Sequence, residues 1–187
     1  MAATVTFERD GTLREGPDEI ARVEAGPSRE FGTLTVGSRT CDIVRKRRSG
    51  WHFELVEAAS ERVVCVFHPH ALRRGGTIRA EDNELKLKPT LSSRGWTITS
   101  PGRPPIRAQP RVAATLREEA ALHAGAGSGG IAPELVLRFP HTVPLAENAR
   151  MWLAFACWLI AQWEAAQSDH SWRATNDQLR GVRGRSV

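Results

Sequence analysis

The stretch ARMWLAFACWLIAQWEAAQ, residues 149–167, contains the longest uninterrupted apolar run of this chain. Eleven consecutive residues, Met151 to Ala161, are apolar, and three tryptophans fall inside or just after that run. A membrane anchor, a helix that docks on a partner, and the buried centre of a fold are the three explanations to weigh. The length of the run and the placement of its large side chains favour the third.

The run is too short to cross a membrane as a simple helix. A spanning helix needs about 20 predominantly apolar residues for about 30 Å of hydrocarbon. The run covers only about 17 Å at the helical rise per residue, and Arg150 and Glu164 flank it. Runs of this length are typical of buried core helices, so we predict a helix over about 145–167 that lies inside the fold.

Helical projection puts large apolar side chains around most of the circumference of this segment. A surface helix has a narrower apolar face, so this helix requires contacts on nearly all sides. One narrow stripe is small or charged, and there we expect the surrounding chain either to approach closest or to leave an opening. The stripe consists of Glu147, Arg150, Ala154, Cys157, Ala161 and Glu164.

Before the helix, from Thr4 to about Gln109, the chain alternates apolar and polar residues and is broken by frequent turn residues. This period-two pattern predicts eight or nine short antiparallel strands, as in FGTLTV and WHFELVE. RVVCVF, residues 62–67, is continuously apolar after Arg62, which predicts a strand buried on both faces. SPGRPPIRAQP, residues 100–110, is rich in proline and predicts an edge segment or a loop. PELVLRF, residues 133–139, predicts either another strand or the lead into the helix.

These patterns predict an α+β fold that is mainly β: an antiparallel β-barrel or half-barrel wrapped around a hydrophobic C-terminal helix. Residues 1–167 are expected to form one domain, with the central helix at about 145–167. GAGSGG, residues 125–130, predicts a flexible glycine-rich loop. The polar, basic segment 168–187 predicts a disordered tail.

The composition suits a globular protein with a modest excess of positive charge. The chain has 187 residues, 41% of them hydrophobic, and a net charge of +5 with a pI near 9.8. This balance favours acidic partners such as anionic lipid, or serves only solubility. The spacing of the three cysteines fits neither a metal site nor a disulfide framework. A secretory signal is not expected, because a charged residue, Glu8, occurs where such a signal would be apolar. We therefore expect a cytoplasmic protein, with peripheral membrane association as an option.

The strand units GWHFELVEAASERVVCVF and ELKLKP…GWTITS, followed by the helix ARMWLAFACWLIAQWE, resemble the tubby C-terminal-like superfamily. That superfamily includes phospholipid scramblases and LURP-one-related proteins, and the resemblance covers about 31–167. It implies a β-barrel of about twelve strands closed around a hydrophobic C-terminal helix. For tubby-type members it also implies binding of phosphoinositide head groups through basic residues. The acidic calcium-binding segment of scramblases has no counterpart here, so calcium dependence and lipid scrambling are not carried over.

The densest charge cluster is the basic run Arg45, Lys46, Arg47 and Arg48. Such a run attracts phosphate groups by charge and by hydrogen bonds. The alternative is a solvated strand end, where alternation sends half of these side chains to each face. Other basic residues would enlarge the patch if the fold brings them together, namely Arg73, Arg74, Lys86, Lys88 and Arg94.

No catalytic constellation is visible in the sequence, which lacks a nucleophile elbow, a phosphate-binding loop and a dinucleotide-binding motif. His68 and His70 would share a face on a strand, as a metal pair requires. Pro69 separates them and no further ligand has suitable spacing, so we predict neither a metal nor a cofactor. The absence of tyrosine, and tryptophans that do not alternate with Lys or Arg, disfavour nucleic acid as a partner.

The preferred hypothesis is a non-enzymatic binding module that contacts anionic phospholipid at a membrane surface through Arg45 to Arg48. A second hypothesis is a regulatory protein that binds another protein, or a second copy of itself through an open barrel edge. A third is an enzyme whose site is assembled from scattered residues.

Overall fold

The computed structural model describes residues 4–26, 31–46, 52–70, 74–81, 83–90, 95–110, 134–140 and 145–168, with side chains described up to residue 165. The predicted loop 125–130 and all of the predicted tail beyond residue 168 lie outside these ranges. Twelve strands and one helix are present in the described ranges. They are β1 (Thr4–Phe7), β2 (Thr12–Glu15), β3 (Asp18–Ala25), β4 (Phe31–Val36), β5 (Arg39–Lys46), β6 (His52–Glu57), β7 (Val63–Pro69), β8 (Gly76–Ala80), β9 (Asn83–Pro89), β10 (Trp96–Thr99), β11 (Ile106–Pro110), β12 (Leu135–Arg138) and α1 (Glu147–Ser168).

The strands form one closed antiparallel barrel. Each strand pairs with its neighbours in sequence, and β1 also pairs with β12, with Val5 opposite Leu137. A mainly β fold with a C-terminal helix is confirmed, whereas the half-barrel alternative is wrong. Because the sheet closes on itself, none of the twelve described strands has a free edge. A homodimer formed by pairing at such an edge is therefore not available to these strands.

The helix α1 occupies the inside of the barrel. Phe155 and Ile160 are both 0% exposed, and the core cluster joins the helix to the inward residues of the surrounding strands. The ring of Trp158 meets that of Phe53 edge to face, with 5.1 Å between their centroids. Contacts on several sides explain why large apolar residues cover most of the helix circumference.

The small side chains of the stripe on the helix are enclosed by the barrel. Ala154, Cys157 and Ala161 are all buried. Met151 meets Cys41 of β5, and Trp163 on another side of the helix meets Phe67 of β7 and Trp96 of β10. The helix backbone comes nearest to β3 and β4, so we infer that the small side chains face these two strands. The charged members of the stripe lie near the ends of the helix.

The prediction for β7 is wrong in one respect, because this strand is buried on one face only. Cys65 and Phe67 are buried, Val64 and Val66 are half-buried, and Val63 is 43% exposed. The wall of a closed barrel has one face toward the core and one toward solvent. A continuous apolar run does not reveal which of its members face outward.

The prediction for residues 100–110 is confirmed for 100–105, which form a turn outside any strand, but it is wrong for β11, a wall strand paired with both β10 and β12. Pro104 and Pro105 precede the strand and Pro110 is its last residue, so no proline interrupts its middle.

The segment 133–139 was predicted to be either a strand or the lead into the helix. It contains strand β12, so the first of these two predictions is correct. The short strand β2 was not predicted, since it contains only one large apolar residue, Leu13.

Candidate anion-binding surface

The predicted basic run begins at the carboxyl end of β5, where the structure describes only its first half. Nζ of Lys46 lies 3.0 Å from Oε2 of Glu54 in the neighbouring strand β6, and Arg45 is also engaged in an interaction. Arg47 and Arg48 lie outside the described residues. Part of the charge that the sequence suggested for phosphate is therefore already balanced within the sheet.

The structure does not gather the other predicted cations around this run. Lys86 and Lys88 lie in β9, which is separated from β5 by β6, β7 and β8. Nη1 of Arg74 lies 3.9 Å from Oε1 of Glu164 near the carboxyl end of the helix. Arg73 and Arg94 lie outside the described residues. The described strands therefore do not bring the predicted cations together into one patch around the basic run.

Strand register instead creates a different basic surface on the outside of β9–β12. Lys88 lies opposite Thr97, Thr97 opposite Arg107, and Arg107 opposite Arg138. Neighbouring strands lie about 4.8 Å apart, so these four residues form a straight line across the strands. We call Lys88, Arg107 and Arg138 the cationic row, and all three side chains are exposed.

No carboxylate in the described part of the chain neutralises the cationic row. None of its three members forms an ion pair or side-chain hydrogen bond with any residue in the described ranges. Elsewhere on the barrel, cations commonly meet carboxylates, as in Arg22 with Glu19 at 2.7 Å and Arg39 with Glu57 at 3.0 Å. Among the described residues, the row therefore stands out as exposed positive charge without a carboxylate partner, and it is suited to contact an external anion.

Within the row, Arg107 and Arg138 are direct cross-strand partners. Like charges placed directly opposite each other destabilise an antiparallel pair. The fold therefore bears an unfavourable contact at this position that no carboxylate in the described ranges relieves. An external phosphate or carboxylate would relieve it, because two guanidinium groups on one face can share an anion.

The histidines form a pair different from the one that the sequence suggested. His68 in β7 meets His52 in β6, with 5.0 Å between their ring centroids. His70 follows the end of β7 and is exposed. Burial lowers the pKa of His68, and the nearby His52 and Arg79 lower it further. This arrangement favours neutral imidazole, but the described residues contain no cluster of three or more ligands able to hold a metal ion.

The three thiols are buried in the barrel and are not arranged as nucleophiles. Burial raises the pKa values of Cys41, Cys65 and Cys157, and that of Cys65 reaches about 12. A thiol that stays protonated is a poor nucleophile. Cys41 and Cys157 belong to the core cluster and act there as small hydrophobic residues.

Sequence reasoning did not find the cationic row, although it noted Lys88. The three cations are separated by long stretches of chain, and Arg107 lies in a segment predicted to be a loop or an edge. The detectable signal was the alternation of apolar and basic residues in LKLK and LVLR. That signal predicts outward cations on each strand, but it does not say which cations share a row.

No family model, characterised protein or solved structure matches this chain. Membership of the tubby C-terminal-like superfamily therefore stays a prediction. In the described part of the chain, no helix combines the length and the apolar character needed to span a bilayer.

Proposed function

We propose that this protein is a non-enzymatic binding module that associates with anionic phospholipid at a membrane surface through the cationic row. The observation that carries the proposal is the line of Lys88, Arg107 and Arg138 on one outer face, with no ion pair among the described residues. The predicted resemblance to tubby-type proteins, which use basic residues for head groups, agrees with this proposal.

The shape of the surface favours a bilayer over a single enclosed ligand. The cations project from the convex outside of a barrel and span four strands. Each Lys or Arg near an anionic bilayer contributes about 1 kcal/mol of binding. The binding free energies of three such residues add up when each contacts a lipid head group, and no preformed pocket is needed.

The basic run Arg45 to Arg48 is proposed as a second, weaker contact. Lys46 is held by Glu54, so its charge is partly compensated. A patch on β5 and a row on β9–β12 face different directions around the barrel. We therefore expect one of the two surfaces, the cationic row, to dominate binding to a flat bilayer.

Vesicle flotation tests the proposal with phosphatidylcholine vesicles, with and without phosphatidylserine. The intact chain should float only with the anionic vesicles, and less so at high salt because ions screen exposed charges. The variant Arg107→Gln plus Arg138→Gln should bind roughly 25-fold more weakly, since two contacts of about 1 kcal/mol each are lost.

Two matched variants make the test specific to the surface. Arg9→Gln plus Arg62→Gln removes the same amount of charge elsewhere and should bind like the intact chain. Arg47→Glu plus Arg48→Glu probes the predicted basic run and should have the smaller effect. Equal flotation with both kinds of vesicle, or full binding by the Arg107 and Arg138 variant, would overturn the proposal.

A further inference from the structure

A cavity opens between the first turns of α1 and the inner face of β9–β11. Its volume is about 500 Å³, many times the ~30 Å³ share of one water molecule in the liquid. Protein interiors seldom contain voids larger than one water molecule. A space of this size falls in the range of about 300–1,000 Å³ that is typical of small-molecule sites.

The lining of the cavity is mostly apolar. Leu85, Ile98 and Ile106 contribute from three successive strands, and Trp152 and Leu153 contribute from the helix. An apolar wall with a few polar groups is the usual composition of a ligand site. The body of a matching ligand is therefore apolar and in contact with aliphatic and aromatic side chains.

The polar residues that line the cavity are Asn83, Ser100, Arg103 and Asn148, of which Arg103 is the charged one. Arg103 lines the cavity, is exposed, and forms no ion pair within the described residues. Oδ1 of Asn148 already accepts a hydrogen bond of 2.7 Å from Nη1 of Arg39, so the amide group of Asn148 has its N–H donors left to offer. No described residue that lines the cavity is acidic.

Positive potential at this end has a second source in the helix itself. Asn148 and Ala149, in the first turn of α1, line the cavity. The amino end of a helix carries a partial positive charge. Glu147 in the same turn offsets part of this charge, but it does not line the cavity, so Arg103 leaves this end of the cavity complementary to an anion.

We infer that the cavity binds a monocarboxylate amphiphile of the fatty-acid class. The hydrocarbon chain lies against the apolar wall and the carboxylate meets Arg103 at the mouth. This site is on the inner face of β9–β11, whereas the cationic row is on the outer face of β9–β12. The inference is therefore independent of the proposed membrane association.

Isothermal titration of the full chain with dodecanoate tests the inference, with the probe kept below its critical micelle concentration. One saturable site is expected. Dodecyltrimethylammonium has the same chain with a cationic head, and it should bind at least about tenfold more weakly because it meets Arg103 with like charge. Arg103→Gln should weaken dodecanoate binding by about tenfold, whereas Arg9→Gln, an exposed control elsewhere, should not change it.

A second variant tests the cavity itself. Ala149→Phe places a ring in the apolar space, and it should abolish dodecanoate binding while the far-UV circular dichroism spectrum stays unchanged. If Ala149→Phe fails to fold, two measurements still test the inference: the binding of dodecanoate relative to dodecyltrimethylammonium, and the binding of dodecanoate by Arg103→Gln. Absence of a saturable site, equal binding of both amphiphiles, or unchanged dodecanoate binding by either folded variant overturns the inference. Vesicle flotation by Ala149→Phe should match the intact chain, which keeps this test separate from that of membrane association.

Discussion

Nε1 of Trp96 in β10 donates a hydrogen bond of 2.8 Å to Oε1 of Glu164 near the carboxyl end of α1. Trp96 is only 1% exposed, and its ring stacks on that of Trp163 with 5.1 Å between the centroids. This hydrogen bond is one of the polar contacts that join the barrel wall to the enclosed helix, as is the bond from Arg39 to Asn148 near the other end of the helix. The indole group needs this acceptor because a buried N–H without a partner costs free energy.

Removing the acceptor should therefore destabilise the protein. We expect Glu164→Leu to lower the free energy of unfolding by about 1–3 kcal/mol, since the indole N–H stays buried without a partner. Glu164→Gln keeps a carbonyl oxygen and should lose less. Urea unfolding followed by tryptophan fluorescence measures both. Glu147→Leu, at an exposed position of the same helix, is the control, and equal losses in the Leu and Gln variants at 164 would contradict the prediction.

Neutralising one member of the cationic row should have the opposite effect on stability. Arg138→Gln removes the like-charge pair with Arg107, so the free energy of unfolding should rise by about 0.2–1 kcal/mol at low ionic strength. The gain should shrink with added salt. Chemical denaturation at two salt concentrations measures it. Arg62→Gln is the control because Arg62 pairs with Glu81, and a loss of stability in Arg138→Gln would show that the arginine supports the fold.

The buried thiols should make the protein sensitive to alkali. Burial raises the pKa of Cys65 from 9.0 to about 12, so the unfolded chain loses this proton before the folded chain does. The stabilising contribution is complete below about pH 9, and it declines as the pH rises toward the folded pKa, by up to about 1.4 kcal/mol per pH unit for a fully titrating group. Urea unfolding between about pH 8 and pH 11 should give a shallower decline for Cys65→Ala than for the intact chain. Parallel declines would rule out a contribution from Cys65.

Much of the local structure was predictable because it depends on neighbours in sequence. The helix was expected at about 145–167 and is found at Glu147–Ser168, because an apolar run of this length is typical of a buried core helix. Strands such as β4 and β6 follow the period-two pattern, with Leu34 and Leu55 buried as their alternation implies. Prediction failed at β11, where the positions of the prolines along the strand mattered more than their number.

One candidate site could be predicted from the sequence, and the other two could not. The run Arg45 to Arg48 is visible in the sequence because its members are adjacent. The cationic row and the cavity depend on which residues of different strands lie side by side, and a shift of one residue in register would turn each side chain to the other face. The composition of the chain and the spacing of its residues do not determine that register.

The sequence by itself determined that this chain has a nearly all-round apolar helix and that short alternating strands must surround it. Only the tertiary structure decided that the sheet closes, because closure requires Thr4–Phe7, the first described strand, to pair with Leu135–Arg138, the last. It likewise decided that Arg107 faces Arg138 and that Arg103 lies beside an apolar cavity. Local patterns reflect the hydrophobic effect acting on each segment, whereas long-range pairing depends on hydrogen bonds and packing that form only when distant segments meet.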